Sequence, residues 1–73
     1  MTQLTPTLLR ETGESLYGTR WQSELARALA VSDRTLRRWL AGVNDVPDAV
    51  RAELRVLAQG RRKALDQVIA RLR

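Results

Sequence analysis

Three arginines, Arg34, Arg37 and Arg38, fall with Ala41 within an arc of about 100° on a helical wheel, and Leu36, Trp39 and Leu40 occupy a similar arc almost opposite. One face is therefore a core face and the other nearly all guanidinium. A helix that needs only solubility usually mixes Glu with Lys. Three forked donors on one strip instead match a guanine edge or a row of phosphates. The chemistry this offers is recognition of an anion and not bond-making. The chain contains no Cys and no His, which excludes a disulfide framework, a thiol nucleophile, a zinc finger and imidazole acid/base catalysis. Its carboxylates are scattered, so no constellation points to an enzyme, a metal or a cofactor.

The elements that must hold this strip lie between Gln22 and Leu40. Leu25 and Leu29 stand four apart with Ala26 beside Leu25, placing a small side chain where a second helix passes close. Ala30-Val31-Ser32 breaks that pattern. Val31 can plug the angle between the two helices, and Ser32 can cap the second by accepting from the amides of its first turn, so the second helix starts near Asp33. Asp33 favours the helix dipole, and it stands four residues before Arg37, where it can hold that guanidinium in place.

Counting from Gln22, the order is Gln, two residues, Leu25-Ala26, two residues, Leu29-Ala30-Val31-Ser32, three residues, Leu36, two residues, Trp39. This order resembles the helix-turn-helix of the lambda-repressor-like, Cro/CI-type DNA-binding proteins, over about 20 residues, with Thr19 to Gly42 as its widest extent. In that family the turn often carries a glycine. Ala30 occupies the place here, and a left-handed turn conformation costs Ala more than Gly. The resemblance implies an all-α, compact four- to five-helix domain whose second motif helix reads the major groove. The motif spans 22–41, and the DNA-facing candidates are Gln22, Ser32, Asp33, Arg34, Thr35, Arg37 and Arg38. Ser32 serves as a cap before it serves as a reader, and a base contact is the lesser use of Asp33. Gln22 has two credible roles, a capping bond and a phosphate contact at the amide end of its helix.

Length and charge agree with this picture. At 73 residues and 44% hydrophobic content the chain makes one small domain, near the size at which a single core is only marginally sufficient. The net charge of +5, carried almost wholly by Arg, favours a polyanionic partner, while an acidic protein is the milder reading. No apolar run is long enough to span a bilayer and no signal-peptide pattern opens the chain, so the expected location is the cytoplasm.

Along the chain, Met1 to Leu4 shows no pattern and reads as a frayed end, and Thr5-Pro6 reads as a cap and first turn. Leu8, Leu9, Thr12 and Leu16 make an apolar stripe with Tyr17 alongside. Gly13 weakens it by roughly 1 kcal/mol relative to Ala, which leaves open one helix or two pieces. Gly18 is a stop, and Thr19-Arg20-Trp21-Gln22 reads as a capping box opening the next helix. Trp21, with Leu25, Ala28 and Leu29, reads as core rather than as a nucleobase platform, and so does Trp39. Arg27 reads as a solvated charge near Glu24.

From Val46-Pro47 a long C-terminal helix, 47–72, carries Val46, Val50, Leu54, Leu57, Leu65, Val68 and Leu72 in one phase, as a single helix or as two nearly coaxial helices kinked at Gly60. Its first half closes the core over Leu36 and Trp39. Leu65, Val68, Ile69 and Leu72 then need a surface to bury against, either helix one or a second copy. A homodimer would set two recognition helices about 34 Å apart. The expected function is a sequence-specific DNA-binding regulator, a repressor or autorepressor on an inverted-repeat operator. The alternative is a helical interaction module, adaptor- or antitoxin-like, without specific readout. RNA binding is disfavoured because Tyr17, Trp21 and Trp39 read as buried.

Overall fold

Thr5 and Pro6 open the first helix in a computed structural model that describes residues 4–73. The Thr5 hydroxyl accepts from the Leu8 amide at 3.1 Å, and Pro6 sits where a missing N–H costs nothing. Helix α1, Pro6–Tyr17, runs through Gly13 as one piece. A Cβ on Gly13 would overlap Trp21 Cε3 and lie 2.8 Å from Cζ3. Gly13 therefore trades helix propensity for the close approach of an indole. The Thr12 hydroxyl donates to the Leu8 carbonyl at 2.8 Å, which leaves its methyl on the apolar stripe. Of the expected frayed end, Met1 to Gln3 lie outside the described residues. Leu4 is instead half-buried, packed against the core beside Leu8 and Leu54.

The second helix, α2 (Trp21–Ala28), follows a single 3₁₀ turn over Gly18–Arg20 without a gap. This overturns the capping box. Arg20 occupies the cap position at φ −101°, ψ 33°, and no side chain caps the helix. A hydroxyl cap needs an extended residue from which to reach back, and Thr19 is already wound into the 3₁₀ turn. Within α2, Trp21, Leu25 and Ala26 are buried and Leu29 closes the end, whereas Ala28 is exposed. The apolar face is thus turned toward Ala26, the small residue that lets the next helix approach.

Two helix ends are built alike. After α2, the Ala30 amide donates to Arg27 O at 3.1 Å and the Val31 amide to Ala26 O at 2.9 Å, with Ala30 in the left-handed region at φ 57°. After α3 (Asp33–Leu40), Gly42 donates to Trp39 O at 3.1 Å and Val43 to Arg38 O at 3.0 Å, with Gly42 at φ 75°. The chain uses Gly at one of these positions and Ala at the other. Val31 is half-buried against the core, filling the angle between α2 and α3.

Pro47, extended at φ −60°, ψ 146°, precedes α4, Asp48–Arg71. Gly60 does not interrupt it, since the stripe keeps its phase and nothing lies within 4 Å of the added Cβ that would test the position. The described residues form no strand, and the class is all-α. One core joins all four helices: Leu9 of α1, Leu25 of α2 and Leu36 of α3 are fully buried, and Val50 and Leu54 of α4 close over them. Beyond Leu57 every residue of α4 is exposed. The molecule measures 46 × 28 × 19 Å because a helix of 24 residues, roughly 36 Å at 1.5 Å per residue, outruns the domain it closes. The tail does not fold back onto helix one: α4 is continuous to Arg71, and the end of α1 meets its Leu65 and Ile69 only across an open cleft.

Candidate nucleic-acid interface

Helix α3 holds its arginines by what it buries. Leu36 and Trp39 are 1% and 7% exposed, and Leu40 is half-buried, so the helix cannot roll about its axis without lifting an indole out of the core. At its start, Ser32 is extended at φ −74°, ψ 156°, and its hydroxyl accepts from the Thr35 amide at 3.1 Å. The same hydroxyl donates to Thr35 Oγ1 at 3.0 Å. Ser32 is therefore committed to the cap. Thr35, half-buried, keeps its own hydroxyl proton for an outside acceptor. The signal for that role was in the sequence, since a cap hydroxyl reaches a Thr three residues on.

Asp33, Arg34, Arg37 and Arg38 are all exposed. The expected pairing of Asp33 with Arg37 does not form: among the described residues the ion pair present is Arg27 with Glu24, at 3.6 Å. An exposed pair of this kind gains only about 0.3–0.5 kcal/mol, too little to hold two solvated side chains in one geometry. The three guanidiniums of α3 consequently have no acid against them. They occupy positions i, i+3 and i+4, where like charges on a helix cost about 0.2–0.5 kcal/mol per pair. That repulsion is offset in part by the helix dipole, which favours Arg37 and Arg38 in the last turn and Asp33 in the first.

The remaining candidates divide between two clefts. Ser32 and Asp33, at the start of α3, share a cleft with Ser23, Ala26 and Arg27 of α2, which brings Ser23 to the seam of the two helices. The sequence did not single out Ser23, because its place depends on how α2 crosses α3. Gln22 is exposed and lies in a different cleft, with Thr19, Arg20 and Glu24. With the capping box absent, the first of its two expected roles is not found. Trp21 and Trp39 are both 7% exposed and offer no stacking platform. No helix is long and apolar enough to cross a membrane among the described residues.

Compared with protein-family models, with curated proteins and with solved structures, the chain matches none.

Proposed function

We propose that the chain is a sequence-specific DNA-binding regulator of the helix-turn-helix, lambda-repressor-like kind, acting as a homodimer that occupies an inverted-repeat operator. In this reading α2 and α3 are the motif and α3 enters the major groove. The observation that carries it is the set of unpaired guanidiniums on the outer face of α3, whose inner face is locked by Leu36 and Trp39. Arg34, Arg37 and Arg38 would divide between base edges and phosphates, the bidentate fork suiting guanine O6 and N7. Thr35, Gln22 and the amides at the start of α2 would fix the register on the backbone. Ser32 and Asp33 would support the start of α3 first, with contact to DNA their lesser use. Repression follows from occupancy alone.

The test is selection of duplexes from a random pool, followed by a salt titration of the winning sequence. A defined half-site whose affinity falls steeply with salt, with a slope of about −0.9 per phosphate neutralised, is the expected result. Arg37→Ala should then cost about 1–3 kcal/mol of binding to that site. Failure to enrich any sequence, together with weak retention at low salt only, would favour the interaction module instead, for which the uncovered apolar tail of α4 is the supporting feature.

A further inference from the structure

The apolar stripe of α4 follows an 11-residue repeat. Val50, Leu54 and Leu57 recur as Arg61, Leu65 and Val68, and Leu72 begins a third round. A repeat of 11 holds a stripe on one side of a nearly straight helix. Its first half is buried, Val50 at 7% and Leu54 at 4%, and its second half is open, Leu65 at 52% and Leu72 at 77%. The difference lies in α1, which runs alongside α4 from Leu8 near Leu54 to Leu16 near Leu65, and stops at Tyr17. Between the last turns of α1 and α4 lies an open groove of about 350 Å³, floored by Leu16, Ala58, Leu65 and Ile69, and the stripe continues bare past it to Leu72.

We propose that this groove and the tail beyond it receive the tail of a second copy of the chain, in antiparallel orientation, with Leu65 against Leu72 of the partner subunit and Val68 against Ile69 of the partner subunit. Two features select that orientation. First, α4 is continuous and its stripe keeps one face, so a parallel partner lying along Leu65 to Leu72 would run back into α1 and the core, which already cover that face at Val50 and Leu54. An antiparallel partner overlaps only the tail, and its own body lies beyond the tip. Second, antiparallel helices bring equal flanks together. Asp66, the sole acid between Ala58 and Arg73, shares a flank with Arg73 and so meets Arg73 of the partner subunit. A parallel pair would also set Arg61, which lies within the stripe, against its own copy. The overlap of two short tails is small, in the range below about 1,200 Å² that characterises weak association.

This arrangement has a consequence that rests on the DNA-binding reading. The two-fold axis falls between Val68 and Ile69, roughly 28 Å along the helix from Val50 at 1.5 Å per residue. The two cores then stand roughly 55 Å apart, wider than the single turn of about 34 Å expected from the sequence. Half-sites would be spaced by more than one turn of the duplex.

The orientation is tested without DNA, so its failure is distinct from failure of that reading. The chain has no cysteine, and single-cysteine variants Leu65→Cys and Leu72→Cys can be oxidised alone and mixed, with light scattering on the unmodified chain. The expected result is a dimeric mass, a cross-link formed in the mixture, and little formed by either variant alone, since like positions would lie about 10 Å apart along the axis, beyond disulfide reach. Efficient cross-linking of Leu65→Cys to itself would establish a parallel pair and overturn the proposal. A monomeric mass at several hundred micromolar would overturn it too. As a second readout, Asp66→Arg should weaken the dimer and Asp66→Arg with Arg73→Asp should restore it, whereas no restoration would refute the flank assignment.

Discussion

Ala30→Gly should stabilise this protein, and Gly42→Ala should destabilise it, although each exchanges the same two residues. Both positions follow a helix, both sit in the left-handed region at φ 57° and 75°, and both are held by the same pair of backward hydrogen bonds. For an L-residue with a Cβ that conformation costs about 1–2 kcal/mol. Replacing Ala30 by Gly removes this cost and adds about 0.4–1 kcal/mol of unfolded-state entropy to be overcome. The net gain is about 0.5–1 kcal/mol, or about 2–8 °C in Tm for a domain of this size. Nothing lies within 4 Å of a Cβ built on Gly42, so steric crowding does not enter and the reverse exchange should cost a similar amount. Urea unfolding followed by circular dichroism measures both, with equal slopes showing that the folded and unfolded surfaces are unchanged. A loss of stability in Ala30→Gly would refute the account, because it would mean that the turn contributes no strain and that unfolded-state entropy alone decides.

Gly13→Ala should lower stability by about 1–2 kcal/mol in spite of its gain in helix propensity, because the added methyl meets the Trp21 ring and overpacking outweighs about 1 kcal/mol of propensity; thermal melts decide the sign. Ser32→Ala should cost about 1 kcal/mol by removing the cap on the Thr35 amide, read by the same melts. Trp39→Ala should cost about 3–5 kcal/mol, enough to unfold much of so small a domain, seen as loss of the cooperative transition. Arg37→Ala, by contrast, should leave Tm unchanged or slightly raised, since it removes like-charge neighbours, while lowering operator affinity; a fall in Tm comparable to that of Trp39→Ala would place Arg37 in the fold and not in the interface.

Local chemistry was legible in advance. Thr5 with Pro6, Ser32 with Asp33, and the phase of α4 through Gly60 each depend on neighbours within a turn or along one helix, and each is found where the sequence puts it. So was the two-sidedness of α3, because burial of Leu36 and Trp39 follows from periodicity once the segment is helical. The failures share a cause as well. Thr19 with Gln22 carries the letters of a capping box, but the 3₁₀ turn that absorbs Thr19 depends on how α1 hands the chain to α2. Asp33 and Arg37 have the spacing of a helix pair, but solvent competes successfully for both.

Sequence alone therefore determined the starts of α1 and α3, which face of each helix is apolar, and that the chain carries an excess of guanidinium and neither imidazole nor thiol. Those properties are set by side chains within about four residues of one another. The tertiary structure decided what each face meets: that Gly13 is a seat for Trp21, that Leu4 is tied to the core, that Ser23 joins the seam of α2 and α3, and that one continuous apolar stripe is covered for half its length and bare for the rest. The reason is that α1 stops at Tyr17, with Leu16 beside Leu65, while α4 runs on to Arg71, a relation between two segments more than forty residues apart that no local pattern encodes.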